Sequence, residues 1–488
     1  MKRLLSNLLG MTACVVAIGC TTEPTNLSNK NAASPAPSAA ASSSPAAAAE
    51  KAANAEPLTL PVLDAFFADE SFSGLLKTRL QLSDEQIAKL KELAHSETAK
   101  LNEANAGKVE GETAAARETA DEKVRALIGE DKAQQLAALV RERWSGPSEN
   151  APEKTASGST NPNTPEEFAA MAPNAVPTDS RIVVNAPAYR MDVFDGGRLI
   201  KSYKIGIGYP QFPLPTGLRK ASAIIFNPTW TPPDEPWVAK MKNVTVGEKI
   251  EAGSALNPLG PIKIPIGLPS LIHGGKSPAK LGTFASHGCV GLTTPQVRDF
   301  AKTLAQLSGA NLTDAALAGY ARDKTQTKQM KLGNAVPVEL RYETIVVEDG
   351  KLHVYRDVYD HDTNTEENLR AVLEANGIKL EDLAEEERGQ VLDALALLSG
   401  KSSATIARST SVVKPGPSPV LSPKASALEG VKKTPATKKP RALKNQKEIV
   451  IEIAALKGKG YPAPVDLDTG SGKTKAALAS APKPVTGP

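Results

Sequence analysis

The chain is expected to fold around a mostly β domain with one helix packed on it, set between an α-helical module and long unstructured segments. Three observations carry that expectation. Short alternating apolar runs, broken by Gly- and Pro-rich turns, recur between Arg181 and Tyr355. A helical apolar period with a capping box runs through Leu58 to Trp144. Ala, Ser and Pro dominate the remaining stretches, which bury too little apolar surface to offset the entropy of ordering.

At 488 residues, with 38 prolines, 36 glycines and only 4% aromatic residues, the chain has room for two or three units plus linkers. Residues 20–57 read as a disordered tether. Residues 58–145 form a helical module, a hairpin in outline. Ser83-Asp84-Glu85-Gln86 caps a helix with Ile87, Leu90, Ala94 and Leu101 on one face, and a second segment carries Val124, Leu127, Ile128, Leu136, Leu139 and Val140. Residues 146–180 are a linker.

The β unit spans 181–360. Strands are expected at Ile182 to Val184, Tyr189 to Phe194, Leu199 to Ile207, Ile224 to Phe226 and Ile262 to Ile264. Asp195-Gly196-Gly197 makes a hairpin turn between the second and third. Thr294 and Pro295 serve as N-cap and first turn of a helix that buries Val297, Phe300, Ala301 and Leu304 and stops near Gly309. Strands follow at Val336 to Tyr342, Thr344 to Val347 and Leu352 to Tyr355. Residues 361–400 are an acidic helical segment. Residues 401–488 are a basic low-complexity tail, in which Glu448 to Leu456 is apolar enough for a strand or short helix.

Residues 1–19 have the form of an export signal, with Lys2 and Arg3 ahead of an apolar stretch too short to span a membrane. Ala17-Ile18-Gly19-Cys20 resembles the lipobox of bacterial lipoproteins. That resemblance implies a lipid-modified Cys20 as the mature N-terminus. Thr21, where inner-membrane lipoproteins carry Asp, implies the outer membrane, so the protein is expected on the periplasmic side of a bacterial envelope. The stretch Leu82-Ser83-Asp84-Glu85-Gln86 resembles LTxxQ-type periplasmic helical proteins, for which a spacer or docking role is the plainest reading. A formal net charge of +4 gives no field suited to nucleic acid.

With Cys14 removed and Cys20 acylated, Cys289 is the one remaining thiol. Two of only five histidines precede it, His273 and His287. A thiol nucleophile needs a base, an orienting group for that base and donors for an oxyanion, and His-Gly-Cys supplies closely spaced backbone N–H groups. An inert buried thiol is the ordinary alternative for a lone cysteine. Zinc held by these three residues lacks a fourth ligand at a recognisable spacing.

The order His-Gly, eleven residues, then Ser286-His287-Gly288-Cys289-Val290 resembles the signature of the L,D-transpeptidase catalytic domain (YkuD-like). Gly206-Ile207-Gly208, Pro215-Thr216-Gly217, Asn227 to Pro233 and Asn257-Pro258-Leu259-Gly260 add to the likeness. It implies a YkuD-like β-sandwich with a packed helix, acting on peptidoglycan stem peptides. Cys289 would be the nucleophile and His273 its base, with the Gly274 carbonyl fixing the tautomer. N–H groups around His287, Gly288 and Cys289 would form the oxyanion hole, while Ser286 and His287 shape the pocket. No cofactor or metal is implied, and a nearby imidazolium would lower the thiol pKa. One position departs from the family: Gly291 stands where Arg or Asn is usual. The acyl acceptor is another stem peptide, an envelope protein's lysine, or water, the last giving an L,D-carboxypeptidase. The alternative function is a non-catalytic, lipid-anchored wall-binding tether.

Overall fold

The computed structural model describes residues 58–101, 112–144, 171–234, 236–267, 270–399 and 446–470. The signal segment, Cys20, the tether, most of the 146–180 linker and most of the basic tail lie outside the described residues.

Helices α1 (Leu60–Phe67), α2 (Glu70–Arg79), α3 (Asp84–Thr98), α4 (Glu112–Ile128) and α5 (Glu130–Trp144) pack around Phe66, Phe72, Leu90, Val124 and Leu136. The described part of the module is therefore more than a hairpin. Ser83 and Gln86 exchange the two hydrogen bonds of a capping box at the start of α3. That helix ends at Thr98, so Leu101 falls beyond the face expected for it.

Strands β1 (Arg181–Asn185), β2 (Arg190–Asp195), β3 (Arg198–Lys204), β4 (Ile207–Gly208), β5 (Gly217–Phe226), β6 (Ile262–Pro265), β7 (Leu271–Lys276), β8 (Phe284–Ser286), β9 (Val290–Thr293) and β10 (Lys328–Arg341) build the β domain. Eight of them form one sheet in the order β3-β2-β1-β10-β5-β6-β7-β9, and β4 pairs with β8. The long sheet curls until its edges meet. Gly206, just past β3, exchanges two backbone hydrogen bonds of 2.9 Å with Gly291 in β9. Short α6 (Pro236–Ala239) lies in the loop after β5.

Helix α7 (Thr294–Leu307) leaves β9 directly and packs on β6, β7, β9 and β10. Val297, Phe300, Ala301 and Leu304 are buried, as their spacing requires. Each large apolar side chain buried this way contributes about 1.5–3 kcal/mol. The N-cap is Thr293, one residue before the expected Thr294, because Gln296 closes a capping box with it. Helix α8 (Asp314–Arg322) follows.

β11 (Ile345–Glu348) and β12 (Lys351–Tyr355), expected within the β unit, pair instead with β13 (Glu448–Glu452) in a sheet of their own. Helices α9 (Glu366–Ala375) and α10 (Glu385–Leu398) cover that sheet through Leu369, Val372, Val391 and Leu395. Part of the expected tail is thus structured. After β13 the chain runs along β3, where Asp468 accepts from the Lys204 N–H and donates to the Ser202 carbonyl, each at 2.9 Å.

The helical module docks on the β domain beside the loop 209–214. Thr59 Oγ1 donates to the Gln211 carbonyl at 2.6 Å. The Asp360 carboxylate accepts from the N–H groups of Thr113 and Ala114 at the start of α4, at 3.1 and 3.2 Å, where the helix dipole favours an anion. Arg117 donates to the carbonyls of Tyr359 and Asp360 at 3.2 and 2.6 Å.

Candidate active site

β7 and β9 are adjacent and parallel, with His273 opposite Gly291. Cys289 lies in the bend that enters β9, one residue before Val290, which pairs with Ile272 next to His273. The register of β7 and β9 thus brings the chain segments that carry His273 and Cys289 side by side.

His273 is buried, 4% exposed, and its Nδ1 lies 2.8 Å from the Gly274 carbonyl oxygen. That oxygen only accepts, so Nδ1 carries the proton and Nε2 keeps the lone pair. Cys289 is half-buried and in no disulfide. Its backbone is clamped by Ser286, whose Oγ accepts from the Cys289 N–H at 3.0 Å and donates to the Cys289 carbonyl at 2.5 Å. The Cys289 N–H is therefore committed to a hydroxyl and drops out of the expected oxyanion donors. The N–H groups of His287 and Gly288 remain the candidates. Gly288 takes a φ of +81°, and its carbonyl accepts from Ser270 Oγ at 2.7 Å.

The bulge that ends β7 depends on glycine. Register is lost between His273 and Lys276, where Gly275 has a φ of +83°. The Asn257-Pro258-Leu259-Gly260 loop presses on it so closely that a Cβ on Gly260 would lie 2.5 Å from the Gly275 nitrogen. Trp230 packs with Val238 and Leu259 behind this loop, in core rather than in a groove.

Residues 179–337 match the family model YkuD, the L,D-transpeptidase catalytic domain. The β domain is YkuD-like. The match contains His273, Ser286 and Cys289 and ends within β10, outside the helical module and the β11-β12-β13 unit. Among solved structures, the chain is similar to the Ldtfm-avibactam carbamoyl enzyme at 14% identity and a TM-score of 0.21, covering 34% of this chain and 49% of that one. It is similar to the catalytic domain of the E. faecium L,D-transpeptidase at 16% and 0.22, covering 34% and 99%. A third is the L,D-transpeptidase from Mycobacterium smegmatis, at 15% and 0.20, covering 33% and 58%. The chain spans about half the length of the first of these. No curated protein matches it.

Two imidazoles of the YkuD-like site are held neutral. Burial, then the charge of Lys276, pushes His273 down to about 3, against the opposing pull of the Gly274 and Leu259 backbone. Burial and Lys276 likewise push His287 down to about 3. The expected imidazolium is therefore absent from the resting site, because a desolvated ring beside a lysine disfavours a second positive charge. His287 sits against the edges of Tyr209 and Phe212, with ring centroids 5.2 and 4.8 Å away. Tyr209 and Phe212 belong to the loop on which the helical module docks. Among the described residues no group of three His, Cys, Asp or Glu side chains could hold a metal ion.

Sequence reasoning missed Ser270, Tyr209, Phe212 and Lys276. Only Lys276 left a signal, a cation three residues after His273 in a chain lacking one at 291.

His361 is packed 4.2 Å from the Tyr342 ring, and burial followed by Arg117 pushes it down to about 3. Its unfolded pKa is about 6.5, so below that pH the unfolded chain takes up a proton that the folded chain refuses. The folded state is then favoured fully above pH ~6.5 and loses this contribution as pH falls toward 3. His361→Phe should accordingly lose about 2 kcal/mol less stability than wild type between pH 7 and 5. Denaturant melts at the two pH values measure the difference, and parallel losses would refute it.

Proposed function

We propose that the protein is a peptidoglycan L,D-transpeptidase in which Cys289 and His273 carry out two-step acyl transfer. The observation that supports this best is the β7–β9 register, which pairs His273 with Gly291 and Ile272 with Val290, the residue that follows Cys289. In the first step His273 Nε2 takes the thiol proton as sulfur attacks the carbonyl before a terminal D-Ala. The N–H groups of His287 and Gly288 stabilise the oxyanion. The C–N bond then breaks, and the D-Ala amine leaves with the proton from His273. In the second step an acceptor amine attacks the thioester, His273 takes its proton, and sulfur leaves as thiolate, which that proton neutralises. No cofactor enters either step.

Lipid attached at Cys20 would hold this chemistry at the outer membrane within reach of the wall. An amine on a second stem peptide, or a lysine of an envelope protein, would be the acceptor.

Incubation with purified disaccharide-tetrapeptide, read by mass spectrometry, tests the reading. A cross-linked dimer lacking one D-Ala is expected. Loss of D-Ala without dimer would mark a carboxypeptidase or a protein acceptor. An unchanged substrate would sink the enzyme reading and favour the tether. Cys20→Ser should shift the protein out of the membrane fraction, and unchanged fractionation would exclude the anchor.

A further inference from the structure

Gly291 departs from its family, and its surroundings explain what stands in for the missing side chain. Its φ is not in the left-handed region, so its backbone tolerates any residue. What fills the space is Lys276: a Cβ on Gly291 would lie 2.8 Å from Lys276 Cγ and 2.9 Å from Cε. The lysine stem lies flat over the glycine.

The bulge explains why Lys276 is there. Regular alternation would put residues 273 and 275 on one face and 276 on the other. The extra residue at Gly274-Gly275 restores Lys276 to the face of His273, opposite Thr293, which itself shares the face of Gly291. The cation is felt at both the His273 and the His287 rings. Both rings belong to the candidate site, so the ammonium lies within electrostatic reach of it.

We propose that Lys276 selects the donor, its ammonium binding the carboxylate of the residue that leaves and so confining acyl transfer to the last peptide bond of a stem. The proposal rests on the acyl-transfer reading above. The carboxylate of a terminal residue sits about 4 Å from the reacting carbonyl, one residue along. Gly291 lies about 7 Å along the strand from Cys289. A lysine laid over Gly291 is therefore within reach of that carboxylate, whereas a mid-chain bond offers an amide there, with no charge to pair. Carboxylate binding would also offset the lysine charge that depresses His273, making the base stronger once a proper donor is bound.

The test compares a tetrapeptide stem ending in D-Ala with the same stem ending in D-alaninamide. Both binding (calorimetry on full-length protein) and D-Ala or D-alaninamide release are measured. Wild type should bind the carboxylate form about tenfold tighter than the amide. Lys276→Ala should lose that preference by weakening only the carboxylate form. Lys276→Arg should retain it, and Lys276→Ala/Gly291→Arg should restore it, because the cation returns from the neighbouring position into the space the lysine vacated.

Equal binding of both forms by wild type, or an undiminished preference in Lys276→Ala, would overturn the proposal. So would an equal loss of rate on both peptides with binding unchanged, which would mean that the charge acts on the sulfur. A preserved carboxylate preference without any turnover would instead overturn the transpeptidase reading alone.

Discussion

Cys289→Ala is expected to lower D-Ala release by at least about 10⁴-fold, the scale seen when a covalent nucleophile is removed. The fold should survive, because Ser286 clamps the Cys289 backbone N–H and carbonyl and does not depend on the side chain. Melting temperature and circular dichroism should therefore match wild type, which separates lost chemistry from lost structure. A carbapenem offers an independent readout: its strained carbonyl should add once to wild type and not to Cys289→Ala in intact-mass spectra. Cys289 is the only thiol in the sequence beyond Cys14 and Cys20, so any adduct remaining after the substitution would locate the nucleophile elsewhere and end the proposal.

Signals confined to one segment were legible. Ser83 with Gln86, the Asp195-Gly196-Gly197 turn and the apolar stripe from Val297 to Leu304 each encode their geometry within a few residues, and the structure follows them closely. What a single segment cannot encode is its partner. Glu448 to Leu456 reads as a strand or short helix, but nothing in it names β12, which lies almost a hundred residues earlier. β11 and β12 were assigned to the central β unit for the same reason, since their alternation is identical whichever sheet they join. The family match likewise ends before them.

The site divides in the same way. His273, Ser286, His287, Gly288 and Cys289 lie in two short stretches that can be read directly. Lys276 could not be, because its face is decided by a bulge that exists only where Gly260 presses on Gly275. An unbroken strand would have pointed it away. The loss of Cys289 N–H as an oxyanion donor was equally invisible, since it depends on which way the Ser286 hydroxyl turns. In both cases tertiary contact reassigns a group whose local sequence suggests another use.

His273→Gln carries the second large effect, a fall of about 10²–10⁴-fold in acylation at pH 7, the usual contribution of a positioned base. Its pH profile is more diagnostic than its size. With the ring held down to about 3, wild-type His273 is unprotonated throughout the neutral range, so the rate should be nearly flat from pH 5 to 8. Without the imidazole, attack depends on thiolate formed in bulk equilibrium, and the rate should climb about tenfold per pH unit as pH rises through the neutral range. A flat profile in His273→Gln would show that the imidazole is not the base. A ring this hard to protonate is a weak base at rest, which the proposed lysine–carboxylate contact turns into an advantage. When a terminal carboxylate neutralises Lys276, one of the two causes of the low pKa is offset, and the proton transfer becomes easier in the complex that needs it. On this logic Lys276→Ala should raise the reactivity of the resting thiol toward a neutral alkylating agent while reducing discrimination among donors, two effects of opposite sign from one charge.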